Sequence, residues 1–207
     1  MRRKIAVIAI LALIAGSGAF AQISIGASGA LYMNSFDMDQ ISTASQTGEG
    51  FFWGPFIEIG IDTFVIGVSG NMSLYNEDYF GNGDSYQMRD IDVAAYIQGH
   101  PLKYKNWLDP FVDAGIGLIY SDFKNKTEIS NDDNPLTGSV YAQLGAGLNV
   151  NIGILGVFVK GDYLFNIGPA EGKSTDAYGV VTRYNLDPYD PFKNIKLMAG
   201  AKIILGR

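Results

Sequence analysis

Residues 139–152 alternate apolar and polar side chains without a break. Val140, Ala142, Leu144, Ala146, Leu148, Val150 and Ile152 share one parity, and Ser139, Tyr141, Gln143, Gly145, Gly147, Asn149 and Asn151 the other. Successive side chains on a strand face opposite sides, so the segment predicts a strand with one greasy and one wet face. Seven further segments repeat the pattern: Gln22–Asn34, Phe52–Asp62, Phe64–Tyr75, Asp90–Gly99, Phe111–Ser121, Gly156–Ile167 and Asn194–Leu205. Eight amphipathic strands are expected.

Charge is segregated between the two faces. Within those limits the apolar face carries no Asp, Glu, Lys or Arg. Glu58, Asp92, Asp113, Lys160, Asp162, Lys196 and Lys202 all fall on the other face. Arg89 has apolar-face parity, but it lies just outside the fourth strand, where a long side chain can reach headgroups. A Lys or Arg facing lipid near the midplane costs about 2–4 kcal/mol, so a bilayer would enforce this separation. A chain crossing a bilayer must also pair every backbone amide, which permits helices or closed barrels. No apolar run after Ala21 reaches the roughly 20 residues of a spanning helix, so closure into a barrel is expected. The expected fold class is all-β: an eight-stranded antiparallel up-and-down transmembrane β-barrel.

The gaps between strands set an orientation. Ser35–Phe51, Asn76–Arg89, Asp122–Gly138 and Gly168–Lys193 are long. They alternate with Asp62-Thr63, His100–Pro110 and Gly153–Leu155. Outer-membrane barrels have short periplasmic turns and long external loops, and an even strand number leaves both termini on one side. Four external loops and periplasmic termini are therefore expected. His100–Pro110 is longer than such turns usually are.

The N-terminus agrees with export. Arg2, Arg3 and Lys4 precede the apolar run Ile5–Ile14, and Ala19-Phe20-Ala21 is a small-x-small cleavage pattern. Residues 1–21 are expected to form a Sec signal peptide and 22–207 the barrel domain, in the outer membrane of a diderm bacterium. The chain has no Cys, so neither a lipoprotein anchor nor a disulfide is available. Its 26 glycines, 12 tyrosines and 12 phenylalanines suit a narrow curved sheet and membrane interfaces. Removing the three basic residues takes 15 to 12 against 21 acids, a net charge near −9. An acidic exported chain without a basic stripe excludes nucleic-acid partners.

The segment Pro110-Phe111-Val112-Asp113-Ala114-Gly115-Ile116-Gly117 and the Ala-Gln-Leu-Gly-Ala-Gly run within Val140–Asn149 carry a resemblance. With the strand pattern, they resemble small eight-stranded outer-membrane barrels of the OmpA, OmpX, OmpW and opacity-protein type. The resemblance covers the whole expected mature length. It implies a monomeric barrel, with outer-membrane lipids and the barrel assembly machinery as partners and a small solute or a host surface ligand as what it meets. Such barrels commonly end in an aromatic residue, whereas this sequence ends Leu205-Gly206-Arg207. Either the assembly signal differs in the source organism, or recognition uses the Ile203–Leu205 face.

Candidate chemistry begins with the wet face. Glu58, Asp92, Asp113 and Asp162 would share the lumen with Lys160, Lys196 and Lys202, and eight strands leave room only for side chains. One reading is a salt-bridged plug that satisfies buried polar groups. The other is a gated path for ions or small solutes, with Lys160 and Glu58 or Asp113 as the constriction. Asn76–Asp84, Asn131–Asn134 and Asp187–Pro191 are rich in carboxylates, but none has the spacing of a calcium loop, so solvated turns are expected and no metal or cofactor. The single histidine, His100, precedes Pro101 in a turn, and with no nucleophile motif beside it no enzyme activity is expected. Trp53, Phe64, Tyr120, Tyr163 and Phe165 suit an interfacial girdle. Tyr75, Tyr79, Phe80, Tyr178, Tyr184 and Tyr189 lie in or beside loops and could serve adhesion. Small-solute passage or an envelope-structural role, surface adhesion through the loops, and a soluble lipocalin-like barrel with its greasy face inward are the functional alternatives.

Overall fold

The computed structural model describes residues 21–33, 50–61, 63–77, 83, 85–102, 106–124, 137–169, 171–175, 181–185 and 194–205. Ten strands are present among them: β1 (Ala21–Met33), β2 (Phe51–Ile61), β3 (Phe64–Glu77), β4 (Tyr86–Gly99) and β5 (Leu108–Phe123), then β6 (Thr137–Ile152), β7 (Leu155–Pro169), β8 (Glu171–Thr175), β9 (Val181–Asn185) and β10 (Ile195–Leu205). Each of β1 to β6 pairs antiparallel with the next, β7 pairs with β10, and β10 returns to β1. The result is a closed eight-stranded up-and-down barrel. Closure matters physically, because it leaves no unpaired strand edge.

The alternation decides which way the barrel faces. Along β2 every second side chain is buried, with Phe52, Phe56 and Glu58 inside and Trp53, Ile57 and Ile61 outside. The outer wall is apolar, as at Val112, 61% exposed, and Ile116, 62% exposed. Charged residues lie within, where Asp92 and Lys196 are fully buried. This polarity excludes the lipocalin-like alternative, which needs the greasy face inside. Trp53, Phe64, Tyr163 and Phe165 are exposed on the outer wall, and the last two meet edge to face at 4.9 Å.

Two ends can be distinguished. At the turn end, Gly153 has φ +63°, a left-handed conformation that a tight hairpin turn requires and glycine adopts without strain. The other end carries the four long gaps. Its described residues include an unanticipated pair: β8 and β9 form a separate two-stranded sheet, in register from Glu171 with Asn185 to Thr175 with Val181. The gap Gly168–Lys193 was expected to be loop throughout. Its strands carry no apolar alternation, so period alone could not reveal them.

Other expectations need correction. β4 begins at Tyr86 and β5 runs from Leu108 to Phe123, so both exceed the predicted limits. Their extra residues, such as Asp109, Arg89 and Asp122, are polar, and an apolar count misses them. Met33 shares the parity of the outward Ile25 yet is buried at the end of β1. Asn166 shares the parity of the inward Lys160 and Asp162 yet is exposed. A register shift between Val140 and Tyr141 pairs Val140 with Gly168 but Tyr141 with Asn166, which breaks the alternation there. Tyr75 is buried rather than loop-exposed, and it packs with Met88 and Tyr86. Residues 1–20, the calcium candidates around 78–82, 131–134 and 187–191, and Tyr79, Phe80, Tyr178 and Tyr189 lie outside the described residues. Ala21, the last residue of the expected leader, opens β1.

Candidate functional site: stacked ion pairs across the lumen

The inward positions of the eight strands meet on the barrel axis, and their polar groups are stacked in layers. Toward the turn end, Lys202 donates to Glu58 at 2.8 Å, and Tyr96 donates to the other oxygen of Glu58 at 3.2 Å. Each of the three stands three residues from the turn end of its strand, so the pleat brings them to one level.

Above them Lys160 sits between two carboxylates, 2.9 Å from Asp113 and 2.9 Å from Asp162. Gln143 also donates to Asp113, at 2.9 Å, and the Lys160 ammonium lies 4.9 Å from the centre of the Tyr96 ring. Of the two partners expected for Lys160, the structure supplies Asp113, while Glu58 is taken by Lys202. Asp162 is a partner that parity alone did not select.

The next layer centres on Asp92. Lys196 donates to it at 2.9 Å, and the hydroxyls of Tyr32 and Tyr141 donate at 2.5 Å each. Four strands contribute to this one carboxylate: β4, β10, β1 and β6. Nearer the long-gap end, Ser121 and Tyr75 both donate to Asp90, and Arg89 pairs with Asp122 at 2.9 Å.

All seven charged residues expected in the lumen are therefore buried and ion-paired. Opposite charges at such distances, away from water, offset much of the desolvation that burial imposes. Aromatic rings fill the space between layers, including Phe52, Phe56 and Phe158, with Phe56 and Phe158 edge to face at 5.4 Å. Glycine makes room for them. A Cβ on Gly117 would fall within the Tyr141 ring, and one on Gly67 within the Tyr96 ring. The lumen is therefore a packed core built from polar layers.

His100 explains the long turn. Its side chain is buried rather than solvated, with Nδ1 2.9 Å from Asp109 Oδ2 and Nε2 3.2 Å from Gln98 Oε1. Asn149 donates to Asp109 at 3.2 Å, and the His100 ring stacks 5.5 Å from Phe111. Asn151 holds the far side of the turn through its side-chain donor to the Asn106 carbonyl, at 2.9 Å. His100 follows the last residue of β4 and continues the inward parity of Tyr96 and Gln98. Sequence reasoning missed this because Asp109 was placed in the turn, although its even spacing from Phe111 and Asp113 put it on the inward parity.

Among the described residues no group of three or more His, Cys, Asp or Glu side chains is placed to hold a metal ion.

No protein-family description matches the sequence, and no curated protein does. Solved structures with a similar fold include the N-terminal β-barrel domain of Pseudomonas aeruginosa OprF, at 14% identity over 89% of this chain and 97% of that one, with a TM-score of 0.49. Neisserial surface protein A is similar at 12% identity over 88% of this chain and 96% of that one, TM-score 0.48. The attachment invasion locus protein Ail of Yersinia pestis is similar at 12% identity over 90% and 99%, TM-score 0.46. At these identities and scores the likeness carries no argument about role, and the barrel rests on this chain's own strand pairing. Eight antiparallel strands closed up-and-down, apolar outside and charged within, are the architecture of the small outer-membrane barrels.

Proposed function

We propose that this chain is an integral outer-membrane β-barrel whose lumen is sealed and whose role is structural within the bacterial envelope. The observation that carries the reading is the coexistence of an apolar outer wall with a lumen closed by successive ion-paired layers. Lipid is the solvent that suits such a wall, and a closed lumen keeps the membrane barrier intact. In this reading the protein is a monomer inserted by the barrel assembly machinery, with both termini in the periplasm. It has no catalytic role and needs no cofactor.

A second reading is favoured by the β8–β9 sheet. An ordered hairpin within the longest gap gives the loop end a firm element to present to a surface ligand, which fits a host-interaction or adhesive role.

The test is single-channel conductance of the refolded protein in planar bilayers, with heat-modifiable gel mobility reporting insertion. The expected result is a fully inserted, silent barrel. Discrete steps that disappear in Lys160→Ala would overturn the sealed reading and establish a solute path gated at that lysine.

A further inference from the structure

The middle layer does not balance its charge. Asp113 and Asp162 bring two carboxylates, and among the described residues Lys160 brings the one ammonium that contacts them. The other two lumen lysines are engaged elsewhere, Lys196 with Asp92 and Lys202 with Glu58. Asp113 and Asp162 are both almost wholly buried, at 2% and 3% exposure. An uncompensated charge there would cost several kcal/mol even after local relaxation.

The hydrogen-bond inventory shows the same deficit independently. Asp113 Oδ2 receives both Lys160 and Gln143, yet Asp113 Oδ1 has no hydrogen-bond donor among the described residues. Asp162 Oδ1 has none either, and Asp162 Oδ2 has only its ion contact with Lys160. Both orphaned oxygens are aimed at the same spot, because a Cβ on Gly145 would overlap the two of them. Buried acceptors without donors are costly, and two converging carboxylate oxygens repel unless a proton lies between them.

We infer that Asp113 and Asp162 form a proton-binding site, holding one proton between their facing Oδ1 atoms. The guest comes from water, and no bond other than its own O–H forms. With it bound, the layer of two carboxyl groups, one proton and one ammonium is neutral, and both facing Oδ1 atoms are satisfied. Gly145 is the positioning residue, since any side chain there would separate the two acids. Facing groups on every neighbouring element are consistent with a single proton: Tyr96 and Asp92 from β4, Gln143 and Tyr141 from β6, Lys160 from β7 and Lys196 from β10. Loss of the proton would leave one net negative charge in this layer and drive the two carboxylates apart. The middle layer is then the one that loosens as the medium becomes alkaline.

Infrared spectroscopy of the refolded full chain in liposomes tests this. A protonated-carboxyl C=O band is expected at neutral pH, lost in Asp113→Asn and in Asp162→Asn and kept in Asp92→Asn. The asparagine amide can donate where the shared proton did, so Asp162→Asn should fold. Its heat-modification midpoint should stay flat across the alkaline range in which the wild-type midpoint falls. Absence of the band from the wild type, or its survival in both asparagine variants, would overturn the assignment. So would a wild-type midpoint raised by sodium or potassium over the same ionic strength of tetramethylammonium, which would place an alkali ion at the site instead.

Discussion

Lys202 Nζ donates to Glu58 Oε2 at 2.8 Å across the one strand that closes the barrel. Lys202 stands opposite Gly26 and Glu58 opposite Ser24, so the ion pair spans β1 and ties β10 directly to β2. The two residues are 144 positions apart in sequence, and only closure brings them together. The seam between the first and last strands is thus held by a ladder on the outside and an ion pair on the inside.

Breaking that pair from one side should be costly. Lys202→Ala leaves Glu58 buried without the ammonium that contacts it, and a buried charge stripped of its ion-pair partner loses about 3–5 kcal/mol. Replacing both ends with apolar residues, Lys202→Met with Glu58→Leu, should recover most of the loss. Reversible urea unfolding in lipid vesicles measures both. Equal stability of the single and double variants would show that the pair does not couple the seam.

The Tyr141 ring packs over Gly117, so the hydroxyl can reach Asp92. Gly117→Ala places a methyl where the ring sits and should destabilise the barrel by about 1–3 kcal/mol. Gly70→Ala is the control, because a Cβ there meets nothing within 4 Å. The same unfolding measurement should separate the two variants clearly. A null effect at Gly117 would mean that the ring moves aside without loss.

Lipid contact on the outer wall makes depth-dependent predictions. Ile116→Lys, near the middle of β5, should cost about 2–4 kcal/mol in a bilayer, whereas Ile152→Lys, at the end of β6, should cost at most about 1 kcal/mol. Both positions are largely exposed, 62% and 74%, so burial within the protein cannot account for the difference. Equal and negligible costs would place the wall in water and sink the membrane reading.

Much of the barrel was legible along the chain because its signal is local. A strand in this fold must satisfy two solvents at once, and it records that at every second residue. Ser139–Ile152 and Phe52–Asp62 therefore appear at nearly their true limits. Where the local signal fails, so does the reading. Glu171–Thr175 and Val181–Asn185 pair with each other and have no greasy face to declare them. Asn166 is exposed although it pairs with the buried Tyr141 beside the Val140–Tyr141 shift, which no property of Asn166 announces. His100 looked like a turn residue because its partner, Asp109, reaches it only once the turn has folded back.

The candidate site divides along the same line. Which residues face the lumen follows from parity, so Glu58, Asp92, Asp113, Lys160, Asp162, Lys196 and Lys202 could be named from the sequence. Which cation meets which anion depends on the stagger of eight strands around a closed ring. That stagger gives Lys202 to Glu58, Lys196 to Asp92, and Lys160 to both Asp113 and Asp162. The sequence by itself determined the two faces, because side-chain direction alternates within a single strand. Only the tertiary structure decided the pairing and the unbalanced middle layer, because both are set by register between strands far apart in the chain.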